Sequence, residues 1–346
     1  MERFFSDGSR MVGLLPGRAL AGGGDFVLRF GSGQYEISGF AGGSRIHGTP
    51  EAIERRQRSS RRYLQRPDAS HVVLDPGRTT LMGWTAGFRA GRVGGVGLRW
   101  NAELSAASPG FELVDAGYQP RVDVVEARGR LSYEIRDGQG ALRQRTFGLA
   151  FDAGWNFGGT RRITSPSVFW SSAWSNRWRT YVEVGVNTSA LSDDLTRGGP
   201  LMATPRSWWT HVRLFPRRTG NTWWEIEGYG LSDAVGGWTA SLNGGVTVQA
   251  GSHLGLSLYT GGLLGDDSRQ YLQRTLDGPE ATFGARYVFS SLERSELFAQ
   301  LRAELAFAPD AVLTLYAEPF VSSGRTHGFG ELTAARAGSL RTYGTD

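Results

Sequence analysis

Between positions 281 and 323 apolar and polar residues alternate. Leu297, Ala299, Leu301, Ala303, Leu305 and Phe307 take one set of positions, and Glu296, Gln300, Arg302 and Glu304 take the other. Successive side chains of a strand point to opposite faces, so a period of two gives one strand with an apolar side and a charged side. Phe283, Ala285, Tyr287 and Phe289 carry the pattern before it, and Leu313, Leu315, Ala317 and Val321 carry it afterwards. Turns at 292–295 and 308–310 are expected to separate three strands. Runs of this length exceed the usual five or six residues. Long alternating strands joined by tight turns are the signature of a membrane-spanning meander.

The same pattern recurs along the chain. Phe26, Leu28 and Phe30 open a first strand, and Tyr35, Ile37 and Ala41 mark a second. Met82, Trp84 and Phe88 follow, then Leu98, Trp100 and Leu104, then Leu131, Tyr133 and Ile135, then Phe147, Leu149 and Phe151. Further strands are marked by Val168 and Trp170, by Val182 and Val184, by 208–215, by 222–231, by Trp238 and Leu242, and by Leu254, Leu256 and Leu258. A weaker one lies at 270–275. The expected fold is all-β: a single antiparallel up-and-down transmembrane β-barrel domain of about 16 strands over 1–346, incomplete at both ends. Tight turns at 137–140, 217–220 and 308–310 alternate with long loops at 45–78, 108–120 and 189–204. In a meander this places the long loops at one end. Within 45–78, Thr49-Pro50-Glu51 supplies a capping hydroxyl, a first-turn proline and an acid on the dipole, which predicts a short exposed helix without an apolar face. Residues 325–346 read as an unfinished loop. A soluble sandwich or propeller also alternates, but with shorter strands, and a propeller would repeat every 40 to 50 residues or so; no such repeat is present. Aromatics such as Trp155, Trp208, Trp224, Trp238 and Phe307 gather near strand ends, as membrane-interface girdles require.

Composition changes the picture little. The 346 residues include 50 Gly, 18 Phe, 11 Trp and 11 Tyr and no Cys, which suits β-structure with many turns and rules out disulfides and thiolate metal sites. A net charge of +5 would suit nucleic acid, but the 38 basic residues, all arginine, are interspersed with 33 acids. That distribution suits a solvated or lumenal lining, so no nucleic-acid partner is expected. The sequence has no run of 18 apolar residues, which argues against a membrane helix and leaves a barrel open. Residues 1–24 lack the basic start and apolar core of a secretion signal, so an exported barrel would need a leader from elsewhere.

Candidate chemistry is sparse. His47, His71, His211, His253 and His327 have no metal-ligand spacing, and no nucleophile elbow appears. Asp193-Asp194 and Gly265-Asp266-Asp267 read as solvated loop acids, and Gly22-Gly23-Gly24 precedes a strand rather than opening a phosphate-binding helix. Neither a cofactor nor catalysis is expected. The candidate ligand-binding residues are Arg55, Arg58 and Arg62 on the 45–78 loop, where they would give the rim positive potential, and Arg128, Arg302 and Glu304 on the lumenal side. Anionic saccharides or lipopolysaccharide phosphates would suit such a rim. An envelope enzyme with a lumenal or wall site, or a soluble β-rich glycan-binding protein, are the alternative readings.

Several segments carry a resemblance. They are Ile46-His47-Gly48-Thr49-Pro50-Glu51-Ala52-Ile53, Arg62-Tyr63-Leu64-Gln65-Arg66-Pro67-Asp68-Ala69, Ser108-Pro109-Gly110-Phe111-Glu112, Thr196-Arg197-Gly198-Gly199-Pro200-Leu201, and the stretch from Arg286-Tyr287-Val288-Phe289 to Glu318-Pro319-Phe320. Together they resemble the outer-membrane β-barrel region of a bacterial domain-of-unknown-function family, usually found C-terminal to a carbohydrate-binding family 9-like module. One departure is Val114, where that pattern has asparagine. The resemblance implies a bacterial outer-membrane location, contact with lipid and lipopolysaccharide, insertion by the barrel-assembly machinery, and an association with saccharides. It also implies further strands on both sides of this stretch, and it supplies no catalytic residues.

Overall fold

The computed structural model describes residues 10–113, 117, 119–136, 140–216, 220–308 and 310–344. Eight strands, β1 (Arg18–Phe30), β2 (Tyr35–His47), β3 (Thr80–Arg92), β4 (Gly97–Ala107), β5 (Val124–Arg136), β6 (Leu142–Trp155), β7 (Arg161–Trp174) and β8 (Trp178–Asn187), run up and down. A small ribbon of β9 (Ala190–Ser192) and β10 (Met202–Thr204) interrupts them. The sheet resumes with β11 (Ser207–Pro216), β12 (Thr222–Asp233), β13 (Trp238–Ala250), β14 (Leu254–Thr275), β15 (Arg286–Ala308), β16 (Ala311–Ala317), β17 (Phe320–Leu332) and β18 (Leu340–Thr342). All except the ribbon belong to one antiparallel, 16-stranded meander, whose two outer edges are not paired with each other. Among the described residues the one α-helix, α1 (Pro50–Gln57), lies between β2 and β3.

The strand total matches the expectation, but its parts differ. Residues 292–295 form no turn: Leu292, Glu293, Arg294 and Ser295 pair in register with Asp267, Asp266, Gly265 and Leu264. Without glycine, proline or asparagine there, nothing breaks the extended backbone, and β15 runs unbroken for 23 residues. The weak strand at 270–275 is likewise the upper part of β14, which is 22 residues long. β16 pairs with the Leu301–Ala308 half of β15 and β17 with the Val288–Phe298 half, so the two lie end to end. Residues 325–346 are not simply a loop. β17 continues through Leu332, and β18 turns back onto Gly330, Glu331 and Leu332. The first strand begins at Arg18, with Gly22, Gly23 and Gly24 inside it against Gly43, Gly42 and Ala41. A Cβ at Gly23 would overlap the Ala41 carbonyl, which explains that glycine. Residues 114, 137–139, 217–219 and 309, on which the Val114 departure and parts of three expected turns fall, lie outside the described residues.

The strands lean steadily in one direction. A row of paired residues starting at Phe30, the last residue of β1, passes through Tyr35, Arg92, Trp100, Leu131, Leu149, Val168, Val184, Thr210, Gly230, Ala240, Leu264 and Ser295 to Ser323. Ser323 lies about 12 residues above Ala311, where the last long strand begins, so the row climbs about 40 Å over about 13 interstrand steps of ~4.7 Å. The strands therefore tilt by about 33°, close to the 35–45° of closed barrels.

The two faces of the sheet differ chemically. Leu28, Phe88, Leu104, Leu149, Val168, Leu242, Leu264 and Leu301 stand exposed on one face. Arg29 and Glu36 (2.8 Å), Arg89 and Glu103 (2.6 Å), and His211 and Glu227 (2.8 Å) pair across strands on the other.

Candidate functional site

Turns at one end of the sheet are short, as between β13 and β14 at 251–253. The connections 48–79, 108–123 and 188–206 all lie at the other end, as expected, and they interlock into a crown. α1 begins as its sequence dictates. Thr49 Oγ1 accepts from the Ala52 amide at 3.3 Å, and Pro50 occupies the first turn. The backbone bond of Glu51 and its bond to Thr49 hold its carboxyl below the usual range.

α1 is not the exposed helix expected. Ala52, Ile53 and Gln57 are buried, with Ile53 packed on Ile46 of β2 and Leu81 of β3. Gln57 bonds Asp75 through both ends of its amide, Nε2 to the carbonyl at 2.8 Å and Oε1 from the amide at 2.9 Å, and this folds the connection onto itself. The apolar face was obscured because it consists of only two residues amid four charged ones.

Buried ion pairs join the three connections. Arg62 donates to Glu112 Oε2 at 2.9 Å and to the Phe111 carbonyl at 2.8 Å. Arg66 donates to Asp123 at 2.5 Å and to Asp193 at 2.6 Å. Asp193 also accepts from Arg162 Nε at 2.8 Å, from Asn156 Nδ2 at 3.2 Å and from Arg121. His71 lies 2.9 Å from Asp123, which also accepts from the Phe157 amide at 3.0 Å. Asp68 accepts from the Leu201 amide at 2.7 Å. Burial works against ionisation of Asp193, but Arg121, Arg162 and Arg66 together hold its carboxyl below the usual range. Burial also lowers the Arg62 guanidinium, with Glu112 opposing.

The loops approach the sheet where side chains are missing. A Cβ at Gly83 of β3 would overlap the Phe111 amide, one at Gly110 the Met82 carbonyl, and one at Gly199 the Tyr287 ring. Beneath that last contact Met202, Ala285, Tyr287, Phe289 and Leu332 form a small core, with Leu195 and Leu340 packed against it.

The residues expected to bind ligand do not converge. Arg55 and Arg58 are exposed on α1 and at its C-cap, and Arg58 pairs with Glu54 at 2.7 Å. Arg62 is not part of a positive rim, because its side chain is fully buried in the Glu112 pair. Arg128 lies on the polar face, 2.9 Å from Glu126 and 3.4 Å from Asp152. Arg302 and Glu304 lie 3.5 Å apart on the same face, near the tight-turn end. Asp193, expected to be a solvated acid, is buried. Arg66, Arg121, Asp123 and Arg162 were not anticipated from the sequence. The available signal was indirect: segments 62–69, 108–112 and 196–201, which carry the family resemblance, are the ones that meet here. His211 faces Glu227 and, edge-on, the Tyr181 ring.

No family model matches the chain, and neither a curated protein nor a solved structure matches it.

Proposed function

We propose that the chain forms the wall of a β-barrel in the outer membrane of a Gram-negative bacterium, serving glycan binding or small-solute passage without catalysis. The observation that carries this reading is the exposed apolar face and its aromatic borders. Trp208 and Trp238 both pair with Ser232, and at the other border Trp224 meets Trp178 edge-to-face at 5.3 Å. Ser232 and Trp224 are about eight residues apart on β12, or about 26 Å along the strand. At the tilt derived above, that spacing is about 22 Å perpendicular to the borders, near the ~25 Å apolar band of outer-membrane barrels. A contiguous apolar surface of this extent would not remain in water.

The polar face supports an aqueous interior. Several of its charges are paired with opposite charges on adjacent strands, as in Arg89–Glu103 and His211–Glu227, the pattern of a braced lining rather than of a reactive group held ready. In this reading lipid and lipopolysaccharide surround the wall, the barrel-assembly machinery inserts it, and the crown meets saccharides outside.

Expression with an export leader, followed by membrane fractionation, tests the reading. The protein should pellet with outer membranes, resist carbonate and salt, and come into solution only with detergent. A monomer that stays soluble after detergent removal would overturn it. Planar-bilayer conductance then separates passage, which gives discrete steps, from surface binding, which gives none.

A further inference from the structure

Two arginines stand where the apolar face meets the crown. Arg206 is exposed, immediately precedes β11 and lies 4.7 Å over the ring of Trp208, one of the aromatic border residues. Its carbonyl accepts from the Ala234 amide at 2.9 Å, which fixes the backbone there. Ser207 pairs with Asn187, so Arg206 comes across from Thr188. Arg161, at the start of β7, is also exposed, and it donates to Thr188 Oγ1 at 3.4 Å and to the Ser189 carbonyl at 2.8 Å. The two arginines thus flank Thr188. Among the described residues neither has a carboxylate within ion-pair distance, whereas the crown cations Arg62, Arg66, Arg121 and Arg162 are all paired. Below them the apolar face continues through Val186, the partner of Trp208, to a groove of about 500 Å³ across β4–β8. Leu131, Leu149, Val168 and Val184 line its near side, and Phe147 and Trp170 its far side. Val184 is four residues from Thr188, or about 13 Å along β8.

We infer that Arg161 and Arg206 bind a phosphate of lipid A, the membrane anchor of lipopolysaccharide, and that one of its acyl chains lies in the groove. The inference rests on the outer-membrane reading above and gives one of the surrounding lipids a site. Guanidiniums without a carboxylate partner bind phosphate through charge-assisted bonds. Stacking on Trp208 holds the Arg206 side chain at the border and leaves its N–H edge open. A phosphate monoester carries close to two negative charges at neutral pH, which two guanidiniums match. The phosphodiester of a glycerophospholipid carries only one. The pair also lies at the end of the long connections, which in this topology is the outer leaflet, where lipopolysaccharide resides.

Native mass spectrometry of the full chain, extracted in detergent, tests the site against lipid A, dephosphorylated lipid A and phosphatidylglycerol. Lipid A should be retained, and each of the other two should bind at least about tenfold more weakly. Arg161→Ala and Arg206→Ala should each weaken lipid A by about tenfold or more, the value of one charge-assisted bond. Arg161→Lys should restore part of the loss. Val168→Trp, which fills the groove without removing a cation, should also weaken lipid A. Arg177→Ala, in the exposed turn between β7 and β8 at the opposite end, should change nothing. No retention of lipid A, equal retention of either comparison lipid, full binding in either alanine variant or in Val168→Trp, or an equal loss in Arg177→Ala would each overturn the inference. Membrane fractionation is read separately, so a protein that reaches the outer membrane without preferring lipid A refutes this site and leaves the barrel standing.

Discussion

The Arg66 guanidinium lies 2.6 Å from the Asp193 carboxylate across 127 residues of chain, and both side chains are sealed from water. A buried pair of this kind adds little net stability over a well-packed apolar pair, because both ions lose hydration. Removing one partner is different, since it leaves an uncompensated charge.

Asp193→Ala should therefore cost about 3–5 kcal/mol, and the cost should fall on the crown. Limited proteolysis should cut within 48–79 and 188–206 while the strand signal in circular dichroism persists. If the sheet melted together with the crown, the two would be one cooperative unit and the division drawn above would be wrong.

Acid should loosen the crown late. The folded-state pKa of Asp193 is depressed below the ordinary 3.8. Its contribution is thus fully present above that value and is lost as pH falls through the folded value. Hydrogen exchange of crown amides should stay slow from neutrality down to about pH 4 and rise only below it. Opening between pH 5 and 6 would contradict the assignment of the acid response to Asp193.

Adjacent positions on β15 should respond in opposite ways. Leu301 is on the exposed apolar face, and Arg302 is beside Glu304 on the polar one. Leu301→Arg should cost about 2–4 kcal/mol of refolding free energy in bilayers, whereas Arg302→Leu should be close to neutral. Denaturant titration in lipid vesicles reads both, and a reversed ranking would mean that the faces are assigned the wrong way round.

Gly83→Ala should displace the 108–123 connection, because the added carbon meets the Phe111 backbone and not a movable side-chain tip. A loss of about 1–3 kcal/mol is expected, as for overpacking elsewhere. Gly129→Ala, in open space on β5, is the control. Equal melting temperatures for the two variants would contradict the close approach.

Exposed Ser60 in the crown and exposed Ser252 in the opposite turn fix the orientation. In intact cells a cysteine at Ser60 should react with an impermeant maleimide, and one at Ser252 should react only after lysis. Labelling of both would exclude the proposed topology.

Alternation was enough to place most of the strands, because period 2 is a local property that any half-exposed strand must show. It assigned Leu297, Leu301 and Leu305 to one side and Arg302 and Glu304 to the other, and the order of long and short connections put 45–78, 108–120 and 189–204 at one end. It also failed for a local reason. Where β14 and β15 extend past the rest of the sheet, Tyr287, Val288, Phe289 and Ser290 are all buried, so an alternating pattern says nothing about what covers them. A turn was expected at 292–295 from polarity alone, yet hydrogen-bonded partners on β14 keep that backbone extended. The crown was beyond reach of the sequence for a related reason. A charged residue in a polar loop looks the same whether it is solvated, as Arg55 is, or buried, as Arg62 and Arg66 are. Only the fold brings Glu112, Asp123 and Asp193 to these guanidiniums across 50, 57 and 127 residues, and that encounter decides which arginines remain available for a ligand.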